Sequence, residues 1–180
     1  MEWSEIVANA TRGPYEYFYC NPVVSDSLRA VIYRAAEFFE PDEVADVSVT
    51  MDNFPFPGGA YYPDEKAVRL SLHLAFSDPA DVLFVVIHEL RHHVQYSRGM
   101  LKLDKVEETN VWRDGYTVPI SDILVMLHDC SGRSDDLYVQ LPWEADANGY
   151  AHHAMSSYVP KDPFLANAVK FCTLPEEFTR

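Results

Sequence analysis

The stretch from Asp78 to Gly99 most restricts how this chain can fold, because it reads as one long helix with both ends marked. Asp78 can serve as the N-cap, Pro79 suits the first helical position, and Gly99 ends the helix after Arg98. On a helix advancing about 100° per residue, Leu83, Val86, Ile87, Leu90 and Val94 share one face. Such a stripe has to be buried, so the rest of the chain must supply a surface that covers it. His88 and His92 fall on the opposite face, separated by about 40°. Val82 and Val85 flank the pair one turn earlier, so that side is not a plain solvent face either. A helix apolar on one side, with paired imidazoles on the other, suits the floor of a cleft.

The surrounding sequence predicts the covering surface. Ser25 or Asp26 caps a helix to about Phe39, with Leu28, Val31, Ile32, Ala35 and Phe39 at three- and four-residue steps, and Pro41 closes it. Val44 to Met51 alternates Val47, Val49 and Met51 against Asp46, Ser48 and Thr50, the period of a half-buried strand. Phe54 to Gly59 reads as loop. Ala67 to Leu74 alternates again, with Val68, Leu70, Leu72 and Leu74 inward and Arg69, Ser71 and His73 outward. Beyond Gly99, Val111–Arg113 and Tyr116–Val118 flank Asp114-Gly115, a two-residue hairpin signal. Ile120–His128 reads as a short helix, Ser131–Asp136 as a polar loop, and Pro142 opens a helix from Trp143 to Ser156. Asp162-Pro163 opens a last helix to about Cys172. The opening residues, to about Val24, predict an irregular strap or short helix over the core. This order suits an α+β domain with a small sheet and several helices. The chain has 180 residues and no repeat or linker, which predicts a single domain over 1–180.

Composition narrows function by exclusion. Lys and Arg number 14 against 28 Asp and Glu, a net charge of −14 and a pI near 4.7, which argues against nucleic acid or an anionic membrane as partner. The three cysteines, Cys20, Cys130 and Cys172, are far apart and read as free thiols of a reducing compartment. Met1 to Ile6 has neither a basic nor an apolar region of a secretory signal, and the longest apolar run, Val82–Ile87, is too short for a bilayer. The expectation is a soluble cytoplasmic protein.

His88-Glu89-Leu90-Arg91-His92 carries the chemistry as an HExxH motif. Two neutral imidazoles one turn apart can share a Zn²⁺ ion, and Glu89 can take a proton from water activated by that ion. A third protein ligand is needed. The pattern HExxHxxGxxH is excluded, since Gln95 and Arg98 stand where it needs Gly and His. Glu144 is the best candidate. With Glu144 aimed at the metal, Ala147, Ala151 and Met155 share its helix face, and small alanines let that helix approach the histidine helix closely. Asp146 is the alternative, either as ligand or as acceptor for a histidine N–H. His93 points away from the metal. His128-Asp129, His152-His153, Tyr116, Tyr138 and Tyr150 are candidate hydrogen-bond donors to a transition state. Cys130 and Cys172 have no motif support as nucleophiles, and Glu107-Glu108 reads as a solvated pair.

His88 to His92, followed far downstream by Glu144-Ala145-Asp146-Ala147-Asn148-Gly149-Tyr150-Ala151, resembles the gluzincin metallopeptidases. Within them it is similar to the compact bacterial and phage-associated ImmA/IrrE-type group. The resemblance covers about Tyr61 to Ala154. It departs from the group in Arg91, which stands where glycine is common, and in a longer interval between His92 and Glu144. It implies a minimal zincin-like domain binding one zinc ion per chain through His88, His92 and Glu144, with Glu89 as general base. The implied activity is hydrolysis of peptide bonds in a peptide or protein substrate, as an endopeptidase in preference to an exopeptidase. On this reading Arg69, Ser71 and His73 lie on a strand that pairs with extended substrate. Residues from about Leu101 to Val118, with the Ser131–Asp136 loop, border the cleft and govern access, or else Trp112 and Tyr116 only pack the core. The alternative is a catalytically weak zincin-fold protein with a binding or regulatory role.

Overall fold

The structure, a computed structural model, describes residues 19–20, 26–52, 58–128 and 137–157. In chain order the elements are β1 (Tyr19–Cys20), α1 (Asp26–Ala36), α2 (Pro41–Val44), β2 (Ser48–Asp52), β3 (Gly59–Tyr62), β4 (Ala67–Ser71), a 3₁₀ turn (Leu72–Phe76), α3 (Pro79–Ser97), β5 (Leu101–Asp104), β6 (Thr109–Trp112), β7 (Thr117–Pro119), α4 (Ile120–His128) and α5 (Pro142–Ser157). The architecture is α+β. A four-stranded sheet has the order β1-β2-β4-β3, with β1, β2 and β4 parallel and β3 antiparallel; a separate three-stranded antiparallel sheet has the order β5-β6-β7.

Helix α3 has the ends its sequence predicts. The Asp78 carboxylate accepts from the Ala80 N–H at 2.8 Å, and Pro79 occupies the first turn. At the other end Gly99 takes φ 67, while its N–H donates to Tyr96 O and the Met100 N–H donates to Gln95 O. This pair of bonds is a Schellman closure, which satisfies carbonyls the helix would otherwise leave open. The stripe Leu83, Val86, Ile87, Leu90 and Val94 is buried, and it packs in one core with α1 (Ala30, Val31, Ile32, Ala35), Val47, the sheet (Val49, Val68, Leu70) and α5 (Ala151, Ala154). A second core lies under the small sheet and joins Leu101, Trp112, Val118, Ile123, Leu141 and Trp143.

Several expectations need correction. Helix α1 ends at Ala36, and tightened turns carry Phe39 to the core; Pro41 also opens α2, whose N-cap Glu40 and Glu43 form a capping box. The strand predicted from Val44 begins at Ser48, although Val47, Val49 and Met51 are buried as their alternation requires. The strand predicted over Ala67–Leu74 stops at Ser71, because the Ser71 hydroxyl accepts from the His73 N–H and turns the chain into the 3₁₀ segment. Ser71 is therefore buried, and Leu72, expected inward, is 43% exposed. Moreover β4 lies between β2 and β3, so both its edges are paired; the edge of the sheet near the histidines is β3, whose first residue, Gly59, is strand and not the end of the expected loop. The Asp114-Gly115 turn is longer than two residues. The Gly115 N–H donates to Trp112 O, the Trp112 N–H donates to Tyr116 O, and Gly115 sits at φ 79, a three-residue loop with a glycine bulge. The Tyr19–Cys20 part of the opening stretch is strand. The rest of that stretch, the Ser131–Asp136 loop, the last predicted helix, Cys130 and Cys172 lie outside the described residues.

Candidate metal centre

Helix α3 carries two site residues and α5 the third. His88 Nε2 lies 3.0 Å from His92 Nε2, and 3.1 Å from Glu144 Oε2. His92 Nε2 lies 3.4 Å from Glu144 Oε1. These ligand atoms lie within 4.8 Å of one another, and among the described residues they are the one such set of three that could hold a metal ion. The face expected for α5 is turned inward: Ala147 and Ala151 are fully buried and Met155 is partly buried on the core, joined by Ala154, which the spacing did not single out.

Electrostatics within the trio is strong because little water reaches it. Burial raises the Glu144 carboxyl, but the imidazoles of His92 and His88 override this and hold it well below the usual carboxylate range. Burial likewise lowers His92, and the Glu144 carboxylate overcomes it, holding the ring up to about 9 in the absence of metal. Glu89 is buried beside the trio, and desolvation raises its carboxyl against the pull of His92 and His88. The Tyr61 backbone N–H of β3 is directed at that carboxylate. Glu89, His92 and Glu144 line a cavity of ≈ 170 Å³, walled by β3 at Gly59, Ala60 and Tyr61, by Tyr96, and by Leu101 and Asn110 of the small sheet.

The remaining candidates separate clearly. Of the three tyrosines considered, Tyr138 alone lines the cavity, and its hydroxyl donates to Glu144 Oε1 at 2.7 Å. The Tyr150 hydroxyl instead donates to Phe38 O, and Tyr116 is an exposed ring beside Trp143. His93 points away from the trio, as expected, and is bonded through Nδ1 to the Tyr61 hydroxyl at 2.9 Å. His152 and His153 are exposed on α5, with His152 against Phe84. Glu107 and Glu108 are exposed in the β5–β6 turn. Asp146 is not in the trio; it accepts from Arg91 Nε at 2.8 Å and from Gln95 Nε2 at 2.9 Å. The small sheet borders the cavity through Leu101 and Asn110, whereas the hairpin tip does not line it, because Trp112 is spent on the second core.

Two features escaped the sequence reading. Gln95, noted only for failing a ligand pattern, accepts from His92 Nδ1 at 2.8 Å; its position three residues after His92 on one helix face was the available signal. Gly59 lets β3 pass over Glu89, since a Cβ there would lie 3.1 Å from Glu89 Cγ. Among the described residues no helix is long and apolar enough to cross a membrane. Comparison of the chain with protein-family models, curated proteins and solved structures finds no match.

Proposed function

We propose that the protein is a zinc-dependent peptidase of gluzincin type, with a minimal zincin-like fold. The observation that carries this reading is the convergence of His88, His92 and Glu144, with Glu89 buried beside them and outside that set. Nitrogen and oxygen ligands about 2.0–2.2 Å from a tetrahedral ion stand roughly 3.3–3.5 Å apart. The separations of 3.0, 3.1 and 3.4 Å fit such an ion after a small outward adjustment. A zinc ion held there would polarise a scissile carbonyl and activate water at neutral pH. Glu89 accepts a proton from the attacking water on its carboxylate and delivers it to the leaving amine. Its raised affinity for a proton suits a group that must both take and return one. The Tyr138 hydroxyl, already at the cavity wall, is the donor best placed to turn toward a developing oxyanion. Extended substrate would lie along β3, the sheet edge nearest Glu89, and not along β4.

The test is metal analysis joined to turnover. The purified protein should hold about one zinc per chain. His88→Ala should lose the metal and the stability linked to it, whereas Glu89→Gln should retain metal and abolish cleavage of a fluorogenic peptide library. Zinc without turnover in the wild type would support the binding or regulatory alternative. Release of zinc by Glu89→Gln as readily as by His88→Ala would make Glu89 a ligand and overturn the assigned roles.

A further inference from the structure

Between α3 and α5 runs a chain of buried and partly buried polar groups that the proposed chemistry does not use. The His92 Nδ1–H donates to Gln95 Oε1 at 2.8 Å, Gln95 Nε2 donates to Trp143 O at 2.8 Å and to Asp146 Oδ2 at 2.9 Å, and Arg91 Nε donates to the same Asp146 oxygen at 2.8 Å. Gln95 is fully buried. Resting on the metal-centre reading above, we infer that Gln95 is a positioning residue for the metal: it fixes the tautomer and ring orientation of His92, and Asp146 with Arg91 fixes Gln95.

The chemistry of the groups leaves one arrangement. A neutral imidazole has one N–H and one lone pair, so a proton committed to Nδ1 leaves the Nε2 lone pair facing His88 and Glu144. The carboxamide cannot be reversed. Turned over, its oxygen would meet the Trp143 carbonyl and the Asp146 carboxylate, so the oxygen must face His92 Nδ1, and that nitrogen must carry the proton. Metal-bound histidines commonly hand their outer proton to a carboxylate or carbonyl. Here the carboxylate is one amide link further away, and that link also clamps Trp143 and Asp146, the neighbours of ligand Glu144 on α5. One side chain thus sets the ring of a ligand on one helix and the backbone carrying a ligand on the other. His88 differs, since its buried Nδ1 makes no hydrogen bond among the described residues.

The test compares Zn²⁺ affinity, by competition with a chromophoric chelator, in wild type, Gln95→Met and Gln95→Glu, alongside thermal unfolding of the metal-free forms. Both variants lose the bonds donated to Trp143 and Asp146, and Gln95→Glu also sets a carboxylate oxygen against those two acceptors, so both should unfold at lower temperature, Gln95→Glu the more so. Only Gln95→Glu keeps an acceptor for His92. Gln95→Met should therefore weaken zinc by about 10–100-fold, while Gln95→Glu stays near wild type. Equal affinity in all three, or an equal loss in both variants, would overturn the inference and leave Gln95 a structural clamp. Should Gln95→Met fail to fold, ¹⁵N NMR of zinc-loaded wild type decides: zinc on His92 Nε2 with a hydrogen-bonded Nδ1 proton is expected, and zinc on Nδ1 would refute it. A wild type that binds no zinc would instead overturn the metal centre, and this inference with it.

Discussion

Gly59→Ala adds a single methyl group and probes how tightly β3 holds the proposed general base. That methyl would lie 3.1 Å from Glu89 Cγ, 3.1 Å from Leu70 Cδ2 and 3.1 Å from Val85 Cγ1, whereas ordinary contacts are 3.4–4 Å. Each neighbour must retreat by a few tenths of an ångström. Leu70 is fully buried on the interior strand β4 and has nowhere to go, and Val85 belongs to the same helix as Glu89. Glu89 borders the cavity, so it yields most. Overpacking of this kind costs about 1–3 kcal/mol, and in a chain of this size each kcal/mol lowers Tm by roughly 2–4 °C. A misplacement of about 1 Å costs about a hundredfold in rate, so a few tenths should cost about 4–10-fold. Zinc content should not change, because Glu89 lies outside the proposed ligand set. Scanning calorimetry, metal analysis and cleavage of a fluorogenic peptide library measure the three effects. Gly58→Ala is the internal control, as a Cβ there meets nothing within 4 Å. If both variants matched wild type in Tm and rate, the strand would not press on Glu89 and the reasoning would fail.

Zinc must displace the proton that Glu144 holds on His92, so apparent affinity should rise about tenfold per pH unit from pH 7 and level off above about 9; a flat profile in chelator competition would contradict this. The metal-free protein should behave oppositely. His92, raised from 6.5 to about 9, contributes on the order of 3 kcal/mol that is fully present below pH 6.5 and lost as pH rises through about 9. Glu144, lowered from 4.5, contributes stability that is present above pH 4.5 and lost on acidification, and burial-raised Glu89 costs stability as pH rises from that point. Urea titrations of the metal-free protein should therefore show greatest stability near pH 4.5, declining above it as Glu89 ionises and further as His92 loses its proton, from these groups. Tyr138→Phe removes a hydroxyl that donates to a buried carboxylate at 2.7 Å and should cost about 1.5–3 kcal/mol in the same titration, with the fold intact. Ala151→Leu should push α5 off α3, lowering stability by about 1–3 kcal/mol and weakening zinc, whereas Ala145→Leu on the exposed face should do neither.

What could be read along the chain was whatever a single helix or strand states in its own periodicity. Asp78, Pro79 and Gly99 mark the ends of α3 by local hydrogen bonding, and His88, Glu89 and His92 hold their relation through helix geometry alone. The alanine face of α5 announced a close helix contact because small residues have few other reasons to recur at that spacing. The strand boundaries were lost where a side chain competed with the ladder, as Ser71 does for the His73 N–H. Topology was out of reach for a different reason. That β3 and not β4 forms the edge beside Glu89 depends on which strands pair across distant sequence, and a strand's own pattern does not name its neighbour. The same holds for the exchange of roles between Asp146 and Gln95: both are polar residues near a ligand, and only the crossing of α5 over α3 puts Gln95 against His92 and Asp146 one link behind it. The candidate ligands came from spacing within single helices; the order of the groups behind them came from packing between helices.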